Sequence, residues 1–171
     1  MADNLRALVV EDNLPMRGLL RSLLIALGIK EVWESANGER ALEILRDKGA
    51  DFVLTDLSME PVDGIAFTRA VRQSNTCPNP YVPIIMVSGH TERHRVEAAR
   101  DAGVTEFLAK PITVQNLMLR IAEIVERPRA YIRSDEYFGP DRRRRKNSDY
   151  QGPLRRREDR EQDLSFKPGK S

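Results

Sequence analysis

The chain has 171 residues, room for one ordinary domain with an appendage. Its formal charge of +2 conceals a division: residues 1–126 hold 14 Lys and Arg against 18 Asp and Glu, net −4, whereas residues 127–171 hold 14 against 8, net +6. Cys77 stands alone, which excludes an intramolecular disulfide and with it a disulfide-stapled secreted fold. The polar start lacks a signal-peptide core, and the run Leu19–Gly28 is broken by Arg21 and too short to span a bilayer, so a cytoplasmic chain without a membrane span is expected.

Along the first 126 residues, short β-type runs alternate with helical patterns, which predicts a parallel sheet covered on both faces. Leu5–Val10 is an apolar run suited to a buried parallel strand. Met16, Leu19, Leu20, Leu23, Leu24 and Leu27 follow at helical spacing, with Pro15 in the first turn and Gly28 as a stop. The cycle repeats with a strand at Glu31–Ser35 and a helix at about Gly38–Asp47, its inward residues Ala41, Leu42, Ile44 and Leu45. A strand at Phe52–Thr55 precedes a helix at about Ile65–Gln73, and one at Val82–Val87 precedes a polar helix at about Glu92–Ala102. A short strand at Glu106–Leu108 leads to a helix at Thr113–Val125, with Val114, Leu117, Met118, Ile121 and Ile124 spaced as an inward face. Five β/α units predict a doubly wound sheet in the flavodoxin-like order 2-1-3-4-5, whose ligand crevice lies beyond the carboxyl ends of strands one and three.

The residues that follow those strands gather at that edge: Glu11 and Asp12, Asp56, Ser88 with Gly89, and Lys110 with Pro111. Three neighbouring carboxylates repel unless protonated or neutralised, and an oxygen-rich set without sulfur suits a hard cation such as Mg²⁺, which readily shares its shell with a phosphate oxygen. Lys110 offers a point charge for such a phosphate, Ser88 a hydroxyl donor, and Gly89 close approach. Blander readings stand beside these. Glu11 and Asp12 also suit the N-terminal end of a helix, Asp63-Gly64 suits a turn, and Phe107 suits a core. His90 and His94 are expected to face solvent, with His90 near enough to gate water.

These residues resemble, in order and at the strand ends, the receiver domain of a bacterial two-component response regulator of the chemotaxis-type single-domain kind, over about residues 3–126. The resemblance is carried by Glu11-Asp12, the run Asp56-Leu57-Ser58-Met59-Glu60-Pro61-Val62-Asp63-Gly64, Ser88, Phe107 and Lys110-Pro111. It implies that Asp56 is the phosphoacceptor and that Glu11, Asp12 and Asp56 ligate Mg²⁺ by side chain and Ser58 by its backbone carbonyl. It further implies that Ser88 and Phe107 form a switch pair and that Lys110 binds phosphoryl oxygens. The implied partners are a histidine kinase or phosphotransfer protein and a downstream protein met by the face of the fourth helix, fifth strand and fifth helix. Two positions depart from the pattern: the first acid is Glu rather than the commoner Asp, and Met59-Glu60-Pro61 replaces Met-Pro. A rival reading, a small Mg²⁺-dependent phosphohydrolase with Asp56 as nucleophile, needs a second catalytic carboxylate close behind it, where this chain has Ser58.

Residues 127–171 carry Ile132, Phe138, Leu154, Leu164 and Phe166 as their only large apolar residues apart from tyrosines, so a disordered basic tail is expected. Within it, Tyr137-Phe138-Gly139-Pro140-Asp141-Arg142-Arg143-Arg144 is echoed by Tyr150-Gln151-Gly152-Pro153-Leu154-Arg155-Arg156-Arg157. Each copy is expected to present its tyrosine and its guanidinium cluster on opposite sides of a Gly-Pro kink. Arginine clamps phosphates and the guanine edge while tyrosine stacks on bases, so Tyr137, Arg142, Arg143, Arg144, Tyr150, Arg155, Arg156 and Arg157 form a candidate nucleotide site. The tail is similar to the arginine-rich extensions of some chemotaxis-type receivers, a group in which cyclic di-GMP binding is known. A solvated tail and a segment that docks on nucleic acid or an acidic protein are the alternatives. No helical pattern follows residue 126, which disfavours a DNA-reading domain.

Overall fold

The computed structural model describes residues 4–73, 75, 77–89 and 93–142. Strands β1 (Arg6–Val10), β2 (Glu31–Ser35), β3 (Phe52–Asp56), β4 (Ile84–Ser88) and β5 (Glu106–Ala109) form one parallel sheet in the order β2-β1-β3-β4-β5. Helices α1 (Leu14–Ala26), α2 (Gly38–Asp47), α3 (Gly64–Gln73), α4 (Arg93–Ala102) and α5 (Val114–Glu126) connect them. This is the flavodoxin-like order expected from the five β/α units.

Side chains alternate across each strand, so one apolar run supplies two cores. Ala7 and Val9 of β1 pack with Leu54, Ile85 and Val87 against Leu20 and Leu24 of α1 and Leu117, Ile121 and Ile124 of α5. Leu8 and Val10 face the other way, with Val53 and Ile84, against Ala41, Ile44 and Leu45 of α2 and Phe67 and Val71 of α3. All five residues of β3 and of β4 are buried, as central parallel strands require.

Beyond one-residue shifts at the ends of β1, β3, β5 and α5, three details depart from the sequence reading. Leu19, Val114 and Met118 share the helical spacing but are 46%, 43% and 49% exposed, because the packed stripe is narrower than the apolar one. The fourth strand begins at Ile84 rather than Val82, since Pro83 has no N–H for the ladder and offers only its carbonyl, which accepts from Val53.

The third departure concerns the start of the basic tail. Residues 127–142 are not a disordered extension: β6 (Tyr131–Arg133) and β7 (Phe138–Pro140) pair as an antiparallel hairpin against the domain. The tyrosines supply the burial that the few aliphatic residues of this segment do not. Tyr81, Tyr131 and Phe138 form a cluster with ring centroids 5.1 to 5.9 Å apart, and Tyr137 is buried with its hydroxyl donating to the Pro140 carbonyl at 2.8 Å. An aromatic body packs like any apolar group once its polar tip finds a partner. The Gly139-Pro140 pair lies within a strand, and Arg142 folds back over the Tyr137 ring at 4.2 Å, so aromatic and guanidinium meet rather than lie on opposite sides of a kink.

Candidate functional site

Asp56 is the last residue of β3, held at the sheet's carboxyl edge by a fully buried strand and 4% exposed itself. Its Oδ1 receives the Lys110 ammonium at 2.8 Å, and its Oδ2 accepts the Ser58 backbone N–H at 2.9 Å. Lys110 reaches it from the end of β5 and is itself half-buried, while its backbone N–H bonds to the Ser88 carbonyl at 3.0 Å. Ser88 is buried at the end of β4, so the ends of β3, β4 and β5 are tied together here. Such a charge-assisted pair with one buried partner is stronger than its fully exposed equivalents.

Glu11 lies beyond β1, 2% exposed, with its backbone N–H on the Ser35 carbonyl. One carboxylate oxygen accepts the Asn13 N–H at 3.0 Å; the other, Oε2, is buried without a hydrogen-bond partner. Burial pushes the Glu11 carboxyl up to about 7, with Asp56 and Asp12 raising it further and the Asn13 N–H and Lys110 opposing them. Asp12 is exposed and accepts the Glu60 N–H at 3.2 Å, which joins the loop after β1 to the loop after β3.

The three carboxylates share one edge, yet among the described residues no three His, Cys, Asp or Glu side chains close into a ready-made metal cage. The donor set nonetheless fits a hard cation: all of its atoms are oxygens, one is buried and unpartnered, and Mg²⁺ keeps several waters of its own.

Phe107 lies half-buried on β5 against the cluster of Leu57, Ile65, Met86, Ala99, Ala102 and Val104. Asp63 caps α3, its side chain accepting the Ala66 N–H at 2.8 Å, in line with the turn reading. Gly64 has a further role that a turn does not capture. A Cβ there would stand 2.2 Å from the Asp56 backbone carbonyl, so only glycine lets α3 start against the end of β3. Arg17 was also missed; its guanidinium bonds the Glu11 carbonyl at 2.8 Å from one helical turn away.

Of the nucleotide-site candidates, Tyr137 and Arg142 are engaged within the fold, Arg142 pairing with Asp101 at 3.1 Å. Arg143, Arg144, Tyr150, Arg155, Arg156 and Arg157 lie outside the described residues, as does His90; His94 is exposed on α4. No helix among the described residues is long and apolar enough to cross a membrane.

The family model for the response regulator receiver domain matches residues 7–122. The chain is 34% identical over 123 residues to a chemotaxis protein CheY of Pseudomonas aeruginosa, covering 72% of this chain and 98% of the relative. It is 31% identical over 124 residues to CheY-3 of Vibrio cholerae, covering 72% and 94%. Among solved structures it superposes on Vibrio cholerae CheY4 with a TM-score of 0.65 at 25% identity, covering 71% of this chain and 98% of that one. It superposes on the receiver domain of the Arabidopsis thaliana histidine kinase CKI1, solved with Mg²⁺ and BeF₃⁻, with a TM-score of 0.64 at 26% identity, covering 71% and 91%. With its sheet order, its carboxyl-edge acids and this match, the chain belongs to the response regulator receiver family.

Proposed function

We propose that this protein is a single-domain response regulator in which Asp56 accepts a phosphoryl group from a histidine kinase or phosphotransfer protein. The observation that carries the reading is the pair between Asp56 Oδ1 and Lys110 Nζ at 2.8 Å, at the edge where Glu11 and Asp12 also converge. An Asp56 oxygen attacks the phosphorus of a phosphohistidine; the P–N bond breaks, the imidazole leaves with its electron pair, and an acyl phosphate forms. Lys110 holds the phosphoryl oxygens, and the Ser58 N–H keeps the attacking carboxylate oriented. Glu11, Asp12, Asp56 and the Ser58 carbonyl would hold Mg²⁺, which when bound neutralises charge on the transferring group. Ser88 and Phe107 read the modified state, and the face of α4, β5 and α5 presents it to a downstream protein.

Incubation with acetyl phosphate and Mg²⁺ tests the assignment. Wild type gains the mass of one phosphoryl group in a base-labile linkage, and Asp56→Asn gains none; full labelling of Asp56→Asn overturns it. The phosphohydrolase reading predicts turnover of a generic phosphate ester, and a single stoichiometric labelling without turnover distinguishes the two.

The finer part of the proposal gives the arginine-rich segment an anionic ligand such as cyclic di-GMP. Its support is the Tyr-x-Gly-Pro-x-Arg-Arg-Arg repeat. Because Tyr137 and Arg142 of the first copy are engaged inside the fold, the binding determinants fall on Arg143, Arg144, Tyr150 and Arg155–Arg157. Calorimetry with cyclic di-GMP on wild type and on Tyr150→Ala tests this; stacking on Tyr150 predicts a loss of about 1–3 kcal/mol. No heat from wild type at micromolar ligand rejects it.

A further inference from the structure

Strand β5 runs from the Asp56 site toward the β6–β7 hairpin, and the C-terminal end of helix α4 meets the same hairpin. Strand β5 ends at Ala109, next to Lys110, and begins at Glu106, whose buried carboxylate accepts Arg129 at 2.8 Å and Arg120 of α5 at 3.5 Å. Helix α4 follows the strand that ends in Ser88, and its last turn carries Asp101, paired with Arg142 at 3.1 Å. The turn after α4 is keyed into the hairpin. Gly103 has a φ of 102°, and a Cβ there would meet the Phe138 carbonyl at 3.1 Å. A Cβ on Gly139 would in turn stand 2.9 Å from the Gly103 Cα, so backbone rests on backbone.

Beneath this joint lies Arg72 of α3, 4% exposed, its guanidinium donating to the carbonyls of Gly103, Pro80 and Val82 and lying 5.3 Å from the Tyr131 ring centroid. Burial lowers its pKa, and among the described residues its partners are carbonyls and an aromatic ring rather than a carboxylate. Helix α4 buries only Ala99 and Ala102, both against Leu57, Ile65 and Met86, and the Asp101–Arg142 pair joins its last turn to the hairpin as well.

We infer that docking of the β6–β7 hairpin and modification of Asp56 are thermodynamically coupled through α4 and β5, the docked hairpin favouring the unmodified site. The inference rests on Asp56 being the phosphoacceptor. The hairpin fits the arrangement in which Lys110 pairs with the Asp56 carboxylate. Modification gives Lys110 phosphoryl oxygens as partners instead, and any shift of β5 is felt at Glu106 and Arg129. Packed joints of this kind have discrete arrangements rather than a continuum, so a small displacement at one end becomes release at the other. Linkage is reciprocal: if modification loosens the hairpin, loosening the hairpin must favour modification.

Hydrogen exchange on the full chain, with and without beryllium fluoride plus Mg²⁺ as a phosphoryl mimic, reads the first direction. The Ser134 and Asp141 amides, bonded to the Tyr137 and Ala130 carbonyls, should exchange about 5-fold faster or more with the mimic, and Asp56→Asn should not respond. The reverse direction uses Arg142→Ala and Asp101→Ala, which remove a partly exposed pair and leave the core intact. Both should bind beryllium fluoride more tightly by a similar factor. Unchanged or slowed exchange, or unchanged affinity in both variants, overturns the coupling. A phosphoryl mass gain at Asp56 under acetyl phosphate separates the outcomes: without it the phosphoacceptor reading falls and the coupling with it, whereas labelling with an indifferent hairpin rejects the coupling alone.

Discussion

Tyr137 donates its hydroxyl hydrogen to the carbonyl of Pro140 at 2.8 Å, and this one bond closes the hairpin's second strand over a glycine that has no room for a methyl group. The first tyrosine of the repeat is therefore a packing residue. Tyr137→Phe should cost about 1 kcal/mol, the net value of one hydrogen bond, and Tyr137→Ala about 3 kcal/mol, the value of a buried aromatic. Urea denaturation followed by tyrosine fluorescence measures both. A Tyr137→Ala protein of unchanged stability would show that the hairpin contributes nothing to the fold.

Gly64 carries a prediction that a turn residue would not. An alanine methyl would stand 2.2 Å from the Asp56 carbonyl oxygen, which the sheet holds in place, and 3.1 Å from the Met86 methyl. Overpacking against backbone leaves little to give, so Gly64→Ala should destabilise by about 3 kcal/mol and slow labelling of Asp56 together with it. Thermal melts and acetyl phosphate kinetics on the same preparation check the two effects.

Lys110→Ala should keep the fold, because the side chain is half-buried at a strand end rather than in either core. It removes the cation that meets the phosphoryl oxygens, and loss of one such group lowers a rate by about 100-fold. Arginine is not a substitute, since its planar fork replaces a compact charge. Phosphorylation at the wild-type rate in Lys110→Ala would reduce the pair with Asp56 to a structural salt bridge.

Asp12→Ala should weaken Mg²⁺ binding by removing the exposed member of the acidic set, and Glu11→Gln should weaken it too by removing a charge whose second oxygen is buried without a partner. NMR titration of the amides around Asp56 with Mg²⁺ is the suitable measurement, because Trp33 lies on β2, away from the site. An identical titration in both variants would remove these residues from the metal set.

The sequence by itself determined the sheet and which side chains gather at its carboxyl edge. Apolar runs at Ala7–Val10 and Phe52–Leu54, separated by helical spacing, leave few ways to bury a chain of this length, and right-handed crossovers then bring Asp56 and Lys110 to the same edge. Helix α2 and strand β2 begin and end at the residues their patterns indicate, because each is flanked by its own cap or turn signal. What only the tertiary structure decided involves partners distant in sequence. The aromatic rings of Tyr131 and Phe138 find Tyr81, and Arg129 finds Glu106 across 23 residues, which a count of apolar residues in the tail cannot anticipate. Arg72 shows the same limit from inside the domain: its place on the inward face of α3 beside Thr68 and Val71 is legible, but three carbonyls and a tyrosine ring must converge before a buried guanidinium becomes stable there. Local pattern specifies which face of an element turns inward; the stability of a charge or a tyrosine on that face depends on groups that only the assembled fold brings near.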